Sequence, residues 1–159
     1  YDLKTLNNGG YQIINNKYDR QGRIIEIAAN NGITTNFVYI PLLNGKAVSE
    51  KISKNGKIMK TSYRTYGNDD KILSESIKDI ANNKKVHSTF GPNGLEEVKI
   101  YDCNFEVDGM RAVTKDKTLK ESHTVIFEDN KPAKVLIKPT GFDEYEIAYD
   151  KYASHYFRN

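Results

Sequence analysis

Cysteine is nearly absent from the sequence. Cys103 stands alone, which excludes an intrachain disulfide framework and any all-cysteine metal site, so packing and strand pairing must supply the stability. Tryptophan is missing and proline occurs only 4 times. No apolar run approaches the roughly 20 residues that a membrane-spanning helix requires, and no basic-then-apolar segment opens the chain ahead of a small-residue cleavage site; membrane insertion is not expected. A glycine-rich phosphate loop, a Gly-x-Ser-x-Gly elbow and a His-Glu-x-x-His pair are all lacking, which lowers the expectation of catalysis, and no cofactor is implied. Excess charge of one sign is small: 24 Lys and Arg against 21 Asp and Glu give a net charge of +3. Such a balance does not mark a dedicated polyanion binder, and nucleic acid is not the expected partner. With 159 residues, 38% of them hydrophobic, and a mean hydropathy of −0.68, the chain suits one domain over 1–159 with a thin core or an extended shape.

Turn signals are plentiful. Asn-Gly occurs at Asn8-Gly9, Asn31-Gly32, Asn44-Gly45, Asn55-Gly56 and Asn93-Gly94, and Asp-Gly at Asp108-Gly109. These dipeptides favour two-residue hairpins because both centres of a type I′ turn need positive φ. Aligned on the turns, the chain repeats one frame: an apolar or aromatic residue, four turn-like residues, then a short strand. The frame starts at Leu6, Tyr18, Ile52, Tyr66, Phe90, Phe105, Phe127 and Ile137. In the copies from Phe90 and Phe127, Val98 with Ile100 and Val135 with Ile137 alternate as a strand with one apolar face requires.

The pattern predicts a mainly β fold, an antiparallel meander of hairpins. Strands are expected at Tyr11–Asn15, Arg23–Ala28, Asn36–Ile40, Ala47–Ile52, Lys57–Thr65, Lys85–Phe90, Leu95–Tyr101, Met110–Lys115, His123–Phe127 and Ala133–Ile137. Two segments also fit short helices. Over about 70–82, Leu73, Ile77 and Ile80 fall at helical spacing between Asp69-Asp70 and Asn82-Asn83, and helix and strand stand level. Over 143–156, Tyr145, Tyr149, Tyr152 and Tyr156 recur every three or four residues, which favours an amphipathic helix; the alternation Tyr145, Ile147, Tyr149 is the competing strand.

Tyr18-Asp19-Arg20-Gln21-Gly22-Arg23-Ile24, followed by Gly32 and Tyr39, resembles the YD repeat of RHS-type bacterial surface and toxin-associated proteins. That unit begins Tyr-Asp, carries a Gly-Arg or Gly-Asn shortly after, and closes on a Tyr. Ile52-Ser53-Lys54-Asn55-Gly56-Lys57-Ile58 is similar to the Asn-Gly-Lys hairpins of MORN-like repeats. Later copies replace the Tyr-Asp start with Phe90-Gly91 and Phe127-Glu128. The resemblance implies a β-sheet scaffold at a bacterial surface, in the cell envelope or in a secreted complex, acting by binding rather than catalysis.

Candidate chemistry divides into four sets. His87, His123 and His155 would form a metal site only if the meander gathered them, and the close spacing typical of zinc ligands is missing, so no metal is expected. Cys103 reads as a small buried hydrophobe. Glu96, Glu97, Asp143, Glu144 and Glu146 could serve acid–base work only across a cleft, and Glu96 and Glu97 point to opposite strand faces. The stretch Lys54, Lys57, Lys60, Tyr63, Arg64, Tyr66 interleaves basic and aromatic residues, with Lys57 and Tyr63 expected on one face and Lys60 and Arg64 on the other. Eleven tyrosines offer amphipathic contact area, and Tyr63, Arg64, Tyr66, Tyr145, Tyr149 and Tyr152 are the expected binding residues. The sequence therefore favours a non-catalytic module that recognises a protein or glycan through exposed Tyr and sheet edges. The alternative is a small hydrolase or toxin-type enzyme drawing on His87, His123, His155, Glu97 and Asp143.

Overall fold

The structure, a computed structural model, describes residues 2–5 and 11–156, with side chains from 14 to 155. The turn expected at Asn8-Gly9 lies outside the described residues. Twelve strands follow in chain order: β1 (Asp2–Thr5), β2 (Tyr11–Tyr18), β3 (Ile24–Ala29), β4 (Ile33–Leu42), β5 (Gly45–Lys54), β6 (Lys57–Gly67), β7 (Ile72–Asp79), β8 (Lys84–Gly91), β9 (Gly94–Asp108), β10 (Arg111–Glu128), β11 (Lys131–Pro139) and β12 (Tyr145–Ala148), with helix α1 (Tyr149–Tyr156) last. They form one sheet in which spatial order equals sequence order and the ladders are antiparallel. The fold is the mainly β meander that the turn frame predicts. No helix among the described residues is long and apolar enough to cross a membrane.

The turns explain the meander. Asn55 and Gly56 sit at φ 52° and 81°, the two positive angles of a type I′ hairpin. Asp129 and Asn130 do the same without glycine, at 53° and 63°. In the YD-like copy, the Asp19 carboxylate accepts the backbone N–H of Gln21 and Arg23, each at 2.9 Å, and the Arg23 Nε–H at 2.8 Å. Arg23 lies 4.4 Å over the Tyr39 ring, and the Tyr39 hydroxyl donates to the Ile24 carbonyl at 2.7 Å. Asp19, Arg23 and Tyr39 of that copy thus brace the strands around them.

Two expectations are corrected. Residues 72–79 form strand β7, not a helix over 70–82. Asp69 accepts the Lys71 N–H at 3.1 Å and Asp79 that of Asn82 at 3.1 Å, while Asp70 and Asn83 adopt φ 63° and 55°. The polar clusters that could cap a helix make turns instead, and ladders to β6 and β8 take up the backbone between them. The 143–156 segment is split: Tyr145–Ala148 pairs with β11 as β12, and the helix begins only at Tyr149. In addition, the strands expected at Met110–Lys115 and His123–Phe127 are one 18-residue strand, β10.

Burial falls in two separate regions. Side chains that pair directly across a ladder point to the same side, so the register defines a helix face and an open face. On the helix face, Val98, Val125, Val135 and Ile137 pack with Leu95 beneath Tyr152 of α1. Each fully buried side chain of this size contributes roughly 1.5–3 kcal/mol. Ala47 and Ile58, 0% and 1% exposed, are buried in β5 and β6. The exposed surface totals 10793 Å², whereas a compact monomer of 18.1 kDa exposes roughly 8,100 Å². The excess of exposed surface agrees with the thin core or extended shape implied by the composition.

Candidate functional site

The expected binding residues fall into two groups. Tyr63 pairs with Ser49 and Ser76 on the open face and is 40% exposed. Arg64 and Tyr66 lie on the helix face. Arg64 is held by Glu75 at 2.5 Å and Glu50 at 3.4 Å; burial works against its charge, and the bonds from Glu75 and Glu50 outweigh it and raise its pKa. Tyr66 carries the Lys46 ammonium 5.7 Å from its ring centre. Tyr145, 47% exposed, and Tyr149 sit at the far end of that face, while Tyr152 is 1% exposed and belongs to the core. Tyr152 has no surface to offer a partner. Six strand spacings separate β6 from β12, about 29 Å, so these residues do not form one patch.

A bulge corrects one more placement. The register of β5 with β6 shifts between Ile52 and Ser53, so that Ser53 pairs Ile58 and Lys54 pairs Lys57. Lys57 consequently lies on the helix face, opposite Tyr63 rather than beside it.

The histidines are dispersed. His123 is 1% exposed on the helix face, linked by Nδ1 to the Tyr152 hydroxyl at 2.9 Å and by Nε2 to Glu121 at 2.5 Å; it anchors α1 to the sheet. His87 projects from the open face with Nδ1 2.6 Å from Ser76 Oγ. Burial, with Lys85 and Lys99 nearby, holds its pKa below the ordinary value. His155 is exposed on α1. Among the described residues, no three His, Cys, Asp or Glu side chains are grouped as a metal site requires. Cys103 is 4% exposed, as expected of a small hydrophobe, and burial pushes its thiol pKa up. A cleft of about 400 Å³ lies between Arg23, Tyr39, Pro41 and Lys46; it includes none of the histidines or acids considered for catalysis.

What the sequence did not expose is a basic cluster on the open face. One row of directly paired residues crosses the strands as Lys51, Thr61, Lys78, Lys85, Tyr101 and Leu119. Lys117 joins it from β10, its ammonium 4.6 Å from the Tyr101 ring centre. Lys78 and Lys85 are directly opposite each other, an arrangement that destabilises a ladder. Burial, then Lys117 and Lys78, lowers the pKa of Lys85. Hydroxyl side chains border the lysines: Thr61 in the same row, and Ser49, Ser76 and Ser122 in the row that carries Tyr63 and His87. The only sequence signal was lysines at 78, 85 and 117 within a chain rich in lysine, and their meeting depends on strand register. No protein-family model matches the chain, and no curated protein matches it.

Proposed function

We propose that the chain is a non-catalytic binding module of a bacterial surface, secreted or toxin-associated system, recognising a protein or glycan across its open sheet face. The observation that carries this reading is the breadth of that face. It presents Tyr63, lysines and a field of hydroxyls side by side over several adjacent strands, whereas α1 packs on the other face. The YD-like hairpin at 18–39 supports the bacterial setting by resemblance, and with it an extracellular or cell-envelope location. Free ladder edges add backbone donors and acceptors for an incoming strand.

The test is affinity capture from extracts and culture fluid with the immobilised domain, followed by identification of what is retained. One protein or glycan, retained reproducibly and lost with Tyr63→Ala, is the expected result. Retention unchanged in that variant, or nothing retained by folded domain, overturns the reading.

One observation favours the hydrolase alternative, the short Ser76 to His87 contact beside Glu97. It lies on an open face, through Nδ1. Ester or amide hydrolysis abolished by Ser76→Ala without a change in Tm would establish it.

A further inference from the structure

We propose that Lys78, Lys85 and Lys117 form the recognition site for an acidic polysaccharide, pairing with its carboxylates while the neighbouring Ser and Thr side chains bond its hydroxyls. This rests on the binding-module reading and names the ligand chemistry of its open face.

The molecule supplies its own comparison. Strands β6 to β9 carry two adjacent rows of charge, one on each face. On the helix face the row runs Lys60, Asp79, Lys84, Asp102, every cation directly opposite an anion. On the open face, one residue along, it runs Thr61, Lys78, Lys85, Tyr101, with two cations facing each other and no anion in the row. The same strands therefore alternate the sign of charge on one side and set like charges together on the other. Lys17, Lys46, Lys99 and Lys134 each reach a carboxylate; among the described residues Lys60, Lys84, Lys78, Lys85 and Lys117 make no such ion pair, and of these five only Lys60 and Lys84 have an anion directly opposite in the ladder. A cluster that weakens the fold while engaging no carboxylate of its own chain is fitted to an external anion.

Three features select a polysaccharide. The site is bordered by hydroxyls at Thr61, Ser76 and Ser122, which suits a ligand with a donor or acceptor on nearly every carbon. The cations lie on three different strands, β7, β8 and β10, so they meet charges strung along a polymer better than one compact anion. The Tyr101 ring is already covered by Lys117, and no other aromatic stands in the row until Leu119 ends it, so successive bases of a nucleic acid would find no stacking platform.

The experiment measures binding of polygalacturonate, a single-stranded oligonucleotide and poly-glutamate by calorimetry at low and moderate salt. The proteins are the full chain, the triple variant Lys78→Gln/Lys85→Gln/Lys117→Gln, and a charge-matched control on the opposite face, Lys57→Gln/Lys60→Gln/Lys84→Gln. Circular dichroism confirms that each is folded. Polygalacturonate should bind the parent chain, weaken about tenfold or more in the first variant and stay within about twofold in the control. Equal loss in both variants would show a response to net charge only, and preference for the oligonucleotide or for poly-glutamate would assign another partner class; either overturns the proposal. Absence of polyanion binding, alongside Tyr63-dependent capture of a neutral partner, would reject this site and leave the binding module standing.

Discussion

Lys78 and Lys85 are held opposite each other by the register of β7 and β8, so removing either charge relieves repulsion without opening a cavity. Replacement of Lys85 by Gln should raise stability by about 0.2–1 kcal/mol at low ionic strength, and the gain should shrink as salt screens the cluster. Urea denaturation in both buffers checks this; a Lys85→Gln chain that is less stable at low salt would show that the ammonium is compensated. His87 reports the same field. Its pKa is lowered by burial and by Lys85 and Lys99, with Glu97 opposing and Lys117 adding a smaller push. The unfolded chain thus takes up the proton at higher pH than the folded one, and stability falls as pH drops through the ordinary value of 6.5, levelling off below the folded pKa. In Lys85→Gln the His87 pKa, followed by NMR titration, should move up toward 6.5 and the acid loss of stability should shrink. A resonance that does not move would mean that burial alone sets it.

Elements show where local chemistry suffices and where it does not. Asn55-Gly56 and Asp129-Asn130 were legible because positive φ is a property of two adjacent residues. Leu73, Ile77 and Ile80 were not, since three apolar residues at that spacing fit a helix face, while the deciding partners, β6 and β8, lie outside the segment. Lys57 changed face through a bulge with no composition of its own, and Tyr152 is buried because α1 folds back, a tertiary event. The lysine site was invisible for the same reason: Lys78, Lys85 and Lys117 share a surface only once four strands are in register. Register also defines an arm. Ladders to β8 end at Asp102 and those to β11 at Glu121, so 103–117 of β9 and β10 pair mainly with each other. Its open side carries Phe105 and Val107, with Val107 42% exposed. Two strands without a third are marginal in water. Amides of 104–107 should therefore exchange with solvent at least about tenfold faster than those of 97–100 in the same strand. Equal protection along β9 would mean that something covers the arm.

At the scale of the whole molecule, a sheet whose spatial order copies its sequence order couples each strand chiefly to its two neighbours. Such a chain approaches the one-dimensional behaviour of repeat proteins, in which stability is a sum of local and nearest-neighbour contributions and damage at one end decays along the array. The two buried regions are correspondingly separate: Tyr152, Val135 and Ile137 close the α1 end, whereas Ala47 and Ile58 lie in β5 and β6. Truncating Tyr152 to Ala removes the largest fully buried side chain and its link to His123, and should cost about 3–5 kcal/mol locally. Hydrogen exchange resolves where that loss falls. Protection should drop through β10, β11 and β12, while the ladder of β5 with β6, braced by Arg64 between Glu50 and Glu75, keeps most of its own. Uniform loss across all strands would show a single cooperative core. Graded loss would mean that the open face around Lys78 and Lys85 is supported from both sides, so a ligand bound there should protect β7 to β9 even in the Tyr152→Ala chain.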